Sequence, residues 1–219
     1  MTGYSLKLMA IVLMLIDHIG FIFFYSRPEY YILRGLGRLV FPIFAFLIAE
    51  GCHHTGNPQK YLARLLAFAF LSEPIYDKAF SEVWLDNVYQ NIFFTLFLGA
   101  VAVFLYRRFK YSSHKYLSYL FPFLMCIIAE VMNSDYGGLG VALIFFLFLA
   151  RGRFSQQAGV IILVNLALVL RYSSLQLLGV FSIIPLYFYS GARGRDMRYF
   201  FYLFYPAHLA FLTLLKGLI

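Results

Sequence analysis

Long apolar stretches fill most of the chain, and short polar segments separate them. A helix that crosses about 30 Å of hydrocarbon takes roughly 20 residues. Nine stretches approach or reach that length, at 5–25, 31–52, 59–79, 87–106, 116–134, 136–150, 154–170, 172–190 and 198–217. Because little chain remains for loops, the pattern predicts an all-α fold, a transmembrane bundle of about nine spans within one domain over 1–219.

The stretches differ in how apolar they are. The fourth has no charged residue from Asn87 to Tyr106, whereas the second and third contain several in their interiors. The sixth is short, so we expect either tilt or a locally thinner bilayer around it. No internal repeat is visible along the chain.

Composition narrows the class of protein further. The chain is 62% apolar and 13% charged, with a mean hydropathy of +0.77, whereas soluble domains are about 25% charged. A soluble enzyme, a nucleic-acid binder and a disordered tail are thereby excluded, and the expected environment is a lipid bilayer.

We expect no metal site, because Cys52, His53 and His54 occupy successive helical positions that do not converge on one ion.

The basic residues predict the orientation of the spans. Positive residues gather in the cytoplasmic loops of membrane proteins, and the densest basic loop contains Arg107, Arg108, Lys110 and Lys115. This loop predicts that the amino terminus lies on the cytoplasmic side of a bacterial cytoplasmic membrane. Of the 18 lysines and arginines, twelve then lie inside, Arg38 is buried, and five lie outside: Arg27, Arg34, Lys78, Arg171 and Lys216.

Ionisable and polar groups inside the spans share one depth. A helix rises about 1.5 Å per residue, which puts the deeper members about 9 to 14 Å from the outer edge and the shallower ones at about 6 Å. The deeper group is Asp17, His18, Arg38, Glu73 and His208, and the shallower group is Asn91 and Glu130. Such residues face the bundle interior or a cavity, so the pattern predicts a site.

Helix geometry limits how these groups can pair. Asp17 and His18 are adjacent, so about 100° of helix separates them and each needs a partner from another helix. Arg38 is the candidate partner for Asp17, and Glu73 or Glu130 for His18. Glu73 and Asp77 are four residues apart and share a face.

Structural roles are an alternative for each of these groups. The Asp17–Arg38 pair is equally compatible with an ion pair that locks two helices. One of the two buried histidines is expected to serve as an interhelical hydrogen bonder. Asp77 and Glu130 lie near span ends, where water can solvate them.

Seven short segments along the chain share one resemblance. They are 15–20 (LIDHIG), 36–46 (LGRLVFPIFAF), 49–51 (AEG), 72–77 (SEPIYD), 90–95 (QNIFFT), 135–137 (DYG) and 201–208 (FYLFYPAH). Together they resemble the TraX family of membrane proteins. They run in order from the first span to the last, so the resemblance covers essentially the whole chain. More distantly, the chain is similar to the family-three membrane acyltransferases, which modify extracytoplasmic sugars and also place a histidine in their first span.

This resemblance implies an enzyme. The named activity of the TraX family is acetylation of the amino terminus of conjugative pilin, with acetyl-CoA as the implied donor. We therefore expect an acetyl-CoA-dependent acyltransferase that acts on an extracytoplasmic acceptor. The acceptor is a pilin amino terminus, a cell-wall polymer or a glycan hydroxyl.

The buried groups provide the catalytic roles of this hypothesis. His18 would act as the general base toward the acceptor, and Glu73 would orient its imidazole. Arg38 or Asn91 would stabilise the developing oxyanion, and Asp17 would hold Arg38 in place. The second buried histidine, in the last span, competes with the first for the role of base.

Two further groups complete the expected site. The phosphates of acetyl-CoA would bind some of the cytoplasmic arginines, which are Arg107, Arg108, Arg151, Arg153, Arg193, Arg195 and Arg198. The acceptor side would include Asp77, Glu130, Asp135 and Tyr136.

Two other classes of protein remain open. A transporter could use the same buried layer as a substrate or proton site, although nine spans without a repeat are unlike the duplicated transporter plan. A non-catalytic scaffold would not need so many ionisable groups at one depth. Stabilisation by acetyl-CoA would distinguish an acyltransferase from both.

Overall fold

A computed structural model shows a chain of helices joined by short turns, and it describes residues 1–86 and 88–218 without the side chain of Arg198. The α-helices are α1 Gly3–Phe23, α2 Glu29–Gly37, α3 Val40–His54, α4 Pro58–Ser81, α5 Ile92–Phe109, α6 Leu117–Val131, α7 Gly137–Leu149, α8 Phe154–Arg171, α9 Ile183–Tyr187 and α10 Arg198–Leu218. A 3₁₀ helix, Ser174–Ser182, leads directly into α9. The prediction of an all-α fold is confirmed.

Several of these helices have the length and hydropathy of membrane spans. Within the described residues, five segments meet both conditions: Gly3–Phe23, Glu29–His54, Ile92–Phe109, Phe154–Arg171 and Tyr199–Leu218. Three shorter apolar segments accompany them: Leu117–Val131, Gly137–Leu149 and Ser174–Tyr187. The chain is thus a multi-pass membrane protein, whereas the count of nine spans and the inside amino terminus stay predictions.

Two predicted spans are interrupted in the structure. The stretch 31–52 is divided between α2 and α3, because the backbone N–H of Arg38 bonds to the carbonyls of Gly35 and Leu36 in a tight turn. The stretch 172–190 begins with the 3₁₀ helix, and its α-helical part is only five residues long. Pro74, by contrast, lies inside α4, which runs on to Ser81.

The chain forms two compact units, and each is described by itself. Unit 1 contains Met1–Phe44, Pro74–Asp86 and Ile161–Ile219, and unit 2 contains Ala45–Glu73 and Asn87–Val160. In unit 1, α1 packs against α2 and α10, and α2 packs against the 3₁₀ helix. In unit 2, α5, α6 and α7 pack against one another.

Small residues allow the close helix packing within each unit, as is common in membrane proteins. In unit 1, a Cβ on Gly20 of α1 would lie 2.6 Å from the Cβ of Leu33 in α2. In unit 2, Gly99 of α5 packs against the side chain of Ile144 in α7. The α1–α2 contact brings Arg34 and Arg38 into contact with the buried Asp17.

Candidate functional site

Two histidines meet in the interior of unit 1. His18 of α1 and His208 of α10 are both buried, and His18 Nδ1 lies 2.6 Å from His208 Nε2. Their ring planes are 15° apart and their centroids 4.9 Å apart, which fits two rings that meet edge to edge through these nitrogens. The pair joins residues separated by 190 positions in the sequence.

The hydrogen bonds of this pair assign its protons. His208 Nδ1 lies 2.7 Å from the backbone carbonyl oxygen of Phe204, and since a carbonyl only accepts, Nδ1 bears the hydrogen. In the neutral ring the other nitrogen, His208 Nε2, is then an acceptor, so His18 Nδ1 must donate to it. When the His18 ring is also neutral, its remaining nitrogen, Nε2, has a lone pair in the ring plane.

Aromatic rings hold the histidine pair in place. Phe80 and Tyr205 contact the His18 ring edge to face, with centroids 5.6 Å and 6.2 Å away. The ring of Phe204 lies parallel to that of His208 at 4.9 Å. Because these rings restrict rotation of the imidazoles, the direction of His18 Nε2 is fixed.

A charged cluster lies beside the histidine pair in unit 1. Arg34 Nη1 lies 2.5 Å from Asp17 Oδ2, and Arg38 Nη2 lies 2.9 Å from Oδ1 and 3.2 Å from Oδ2. Both guanidinium groups are within electrostatic range of His18. Two cations and one anion give the cluster one net positive charge.

Gly37 permits this arrangement. A Cβ at position 37 would overlap the carboxyl group of Asp17. A residue without a side chain is therefore needed where α2 ends against α1. The Arg38 Nε–H also donates to the Arg34 carbonyl, at 3.1 Å, so the tight turn itself orients the second guanidinium.

The structure contains the Asp17–Arg38 pair that the sequence predicts. It adds Arg34 to this pair, which the sequence did not predict. Arg34 was counted among the cations outside the membrane, yet its side chain is 17% exposed and bound to Asp17. The four-residue spacing between the two arginines was the available signal, because it places both on one helix face.

In unit 2, Asn91 connects two helices through their backbones. Its Oδ1 caps α5 by accepting from the Phe93 N–H at 2.9 Å, and its Nδ2 donates to the Ala69 carbonyl at 2.8 Å and to Glu73. An amide nitrogen has two hydrogens, so these two bonds use both. Both amide hydrogens of Asn91, which was predicted as the alternative to Arg38 at the oxyanion, are thus bound within unit 2.

Glu130 and its neighbours shape the start of α7. The Glu130 carboxylate accepts from the Gly138 N–H at 2.8 Å, where a negative charge favours a helix amino terminus. Tyr136 precedes this helix with φ of 63°, and the Thr95 hydroxyl donates to the carbonyl oxygen of Asp135. These contacts order the α6–α7 turn through its backbone.

The predicted partner of His18 is replaced by another. Nδ1 of His18 faces His208 and not either of the glutamates that the sequence indicated. Glu73 accepts from Asn91 within unit 2. Asp77, predicted for the acceptor side, is buried in unit 1 and accepts from the Asp86 N–H at 2.9 Å.

The arginines expected at the phosphates of acetyl-CoA occupy different settings. Arg107 donates to the Cys52 carbonyl at 2.6 Å, and Arg151 forms a two-pronged ion pair with Glu50 at 2.6 Å and 3.2 Å. The exposed members are Arg107, Arg108, Arg153, Arg193 and Arg195, of which Arg193 pairs with Asp196 at 3.0 Å. Arg198 lies outside the described side chains.

Comparison with known proteins adds a family and two relatives. The family model described as TraX protein matches residues 2–216. A probable fimbrial assembly protein FimC, serogroup H1, of Dichelobacter nodosus is 31% identical, over 98% of this chain and 96% of its own length. An uncharacterized protein RP591 of Rickettsia prowazekii (strain Madrid E) is 28% identical over 68% of this chain and 57% of its own. No solved structure matches the chain.

Proposed function

This chain belongs to the TraX family, and we propose that it is a membrane-embedded acyltransferase that moves an acetyl group from acetyl-CoA to an extracytoplasmic acceptor. One observation supports this most strongly. His208 holds His18 Nδ1 inside the protein, and in a neutral His18 ring this leaves Nε2 unprotonated. A fixed neutral imidazole beside buried arginines is what a general base for acyl transfer requires.

The transfer proceeds in two proton-coupled steps. His18 Nε2 accepts the proton of the acceptor hydroxyl or neutral amine while the acceptor atom bonds to the thioester carbonyl carbon. The carbonyl electrons move to oxygen and form a tetrahedral oxyanion. When the carbonyl re-forms, the carbon–sulfur bond breaks, and the departing thiolate takes the proton from His18. The products are the acetylated acceptor and the free thiol of CoA.

His208 and the arginine cluster provide the supporting roles. His208 Nε2 accepts a hydrogen bond from the Nδ1–H of His18. This bond stabilises the imidazolium that His18 becomes during the transfer. We assign the oxyanion to the net positive cluster of Arg34, Arg38 and Asp17, because buried cations stabilise developing negative charge strongly.

Orientation and donor complete the proposal. CoA thioesters are cytoplasmic, and we place the amino terminus and the basic loop after α5 on the cytoplasmic face of a bacterial cell membrane. The donor phosphates bind exposed arginines of the cytoplasmic face, whereas Arg151 already pairs with Glu50. These phosphates are too polar to enter the apolar interior.

The acceptor proposed first is the amino terminus of a pilus subunit. The Dichelobacter nodosus relative, which covers nearly the whole chain, is named a probable fimbrial assembly protein, so we propose a role in fimbrial or pilus assembly. A cell-wall polymer and a glycan hydroxyl present the same nucleophile classes and are the next acceptors to test.

The experiment follows a labelled acetyl group. Membranes that contain the protein are mixed with isotopically labelled acetyl-CoA and with envelope from cells that lack the protein, and label in the envelope is measured by mass spectrometry. We expect His18→Ala to lower the rate of acetyl transfer about 10²- to 10⁴-fold, which is the usual contribution of a general base. The conservative variant is His208→Gln, whose amide oxygen still accepts from His18, and it should retain more transfer than His208→Leu.

Three outcomes would overturn the proposal. Wild-type membranes that transfer no label to any envelope component would exclude acetyl transfer, as a transporter or scaffold predicts. Full transfer by His18→Ala would remove the base. Equal loss in both His208 variants would remove the orienting hydrogen bond from the mechanism.

A further inference from the structure

The 3₁₀ helix of unit 1 has a polar face that points inward. A 3₁₀ helix has three residues per turn, so residues three apart share a face. Gln176, Gly179 and Ser182 form one such face, and they are the buried residues of the helix. Leu177 and Phe181, on other faces, are exposed, as expected for a segment whose apolar sides meet lipid.

Two atoms of this face have no hydrogen-bond partner within the described residues. They are Gln176 Oε1 and Ser182 Oγ, in side chains that are 5% and 0% exposed. An unsatisfied buried polar group destabilises a folded protein, so two on one face require a reason. A 3₁₀ helix of nine residues is itself uncommon, and irregular backbone at membrane depth is tolerated where it lines a polar interior.

This face lies against the backbone of Arg38, whose side chain belongs to the charged cluster of the proposed active site. A Cβ at Gly179 would overlap Asn165 Oδ1 and lie 3.1 Å from the Arg38 carbonyl oxygen. Asn165, from α8, is 1% exposed, and its Nδ2 donates to the Ile161 carbonyl at 2.8 Å. The polar stripe is therefore adjacent to Arg38, which in turn binds Asp17 beside His18.

We propose that Gln176, Ser182 and Asn165 form a hydrogen-bonding site for an uncharged, extended ligand segment that bears amide or hydroxyl groups. The Gln176 oxygen only accepts and the Ser182 hydroxyl can donate or accept, so the ligand supplies at least one N–H or O–H. No member of the stripe is charged, which disfavours a phosphate or carboxylate. Positions 176 and 182 are about 12 Å apart along the helix, which fits a chain and not an ion.

The proposal rests on the proposed acyl transfer for the identity of this segment. In that reaction the segment is the amide-bearing pantetheine arm of the thioester donor. A hydroxyl-rich acceptor has the same hydrogen-bonding chemistry, so the probes must separate the two sources.

The test measures ligand-induced thermal stabilisation of the purified full chain in lipid nanodiscs. The probes are pantetheine for the donor arm, N-acetylglucosamine for a hydroxylated acceptor, and adenosine 3′,5′-bisphosphate for the nucleotide end. The variants are Gln176→Met and Ser182→Ala, and the matched control is Gln156→Leu, which changes an exposed glutamine of α8.

We expect the stripe variants to melt, without ligand, at or above the wild-type temperature, because each removes an unsatisfied buried atom. Their dissociation constants for pantetheine should rise about tenfold, the effect of one lost hydrogen bond of about 1.4 kcal/mol. The control variant should match the wild type with every probe, and adenosine 3′,5′-bisphosphate should bind all variants equally.

Each other result has a defined meaning. Loss that is confined to N-acetylglucosamine would assign the stripe to the acceptor. Equal binding of pantetheine and the sugar by all variants, no stabilisation of the wild type by either probe, or a lower melting temperature of both stripe variants without ligand would overturn the inference. Failure of the proposed function is read separately, as absence of labelled acetyl transfer by the wild type.

Discussion

The buried polar groups of the two units differ in what they bind. In unit 1, side chains bind side chains of other helices, as in the His18–His208 pair and the Asp17 cluster. In unit 2, polar side chains mostly bind backbone: Asn91 and Glu130 bond to N–H groups at the starts of α5 and α7, and Arg107 binds a carbonyl at the end of α3.

This difference separates a site from a scaffold. A side chain that satisfies a helix end replaces a backbone partner that the bilayer cannot provide, and its own donors are used in doing so. Side chains that bind one another across helices do not satisfy backbone groups. In unit 1 such side chains keep the lone pair of His18 and the net positive charge of the Asp17 cluster in the interior. For this reason the proposed acyl transfer is assigned to unit 1.

The largest effect on stability should come from the charged cluster. Asp17→Asn leaves two buried guanidinium groups without their carboxylate, and breaking a buried ion pair costs about 3–5 kcal/mol. The matched change in unit 2 is Glu50→Gln, whose partner Arg151 has a side chain that is 33% exposed. Water can solvate that arginine, so the loss should be about 1 kcal/mol or less.

The measurement is the free energy of unfolding in mixed micelles for both variants and the wild type. Asp17→Asn should lose severalfold more stability than Glu50→Gln. Equal losses would show that the unit 1 cluster is no more buried in solution than the unit 2 pair, and the comparison between the units would fail.

A smaller effect is expected at Asn91. Asn91→Ala removes the cap of α5 and the bonds to Ala69 and Glu73, and it should lower the free energy of unfolding by about 1–3 kcal/mol. Because Asn91 has a structural role in this account, acetyl transfer per folded molecule should remain at the wild-type level. Transfer that falls as far as in His18→Ala would return Asn91 to the catalytic machinery.

Much of the fold follows from the sequence because a bilayer admits few structures. The predicted spans 5–25 and 154–170 correspond closely to α1 and α8. The cost of burying Asp17 also pointed to a basic partner, and Arg38 is that partner. Both inferences depend on the local composition of a helix, which the sequence displays directly.

The features that the sequence did not predict depend on how the helices rotate and pack against one another. The sequence of a single helix does not determine this packing. Each histidine needed a partner, but the sequence could not identify which of several distant groups would face His18. Arg34 was mistaken for a loop cation because its burial depends on the turn after Gly37. The three-residue spacing of Gln176, Gly179 and Ser182 was visible but matched no α-helical face.

The protonation of His18 tests the account most directly. Magic-angle-spinning NMR of ¹⁵N-histidine-labelled protein in lipid bilayers distinguishes protonated from unprotonated ring nitrogens. His18→Ala and His208→Ala assign the signals, and the exposed His114 is the internal control. At neutral pH we expect His18 to have a protonated Nδ1 and an unprotonated Nε2. A protonated Nε2 with an unprotonated Nδ1 would contradict the account, because His18 would then have no lone pair for the acceptor.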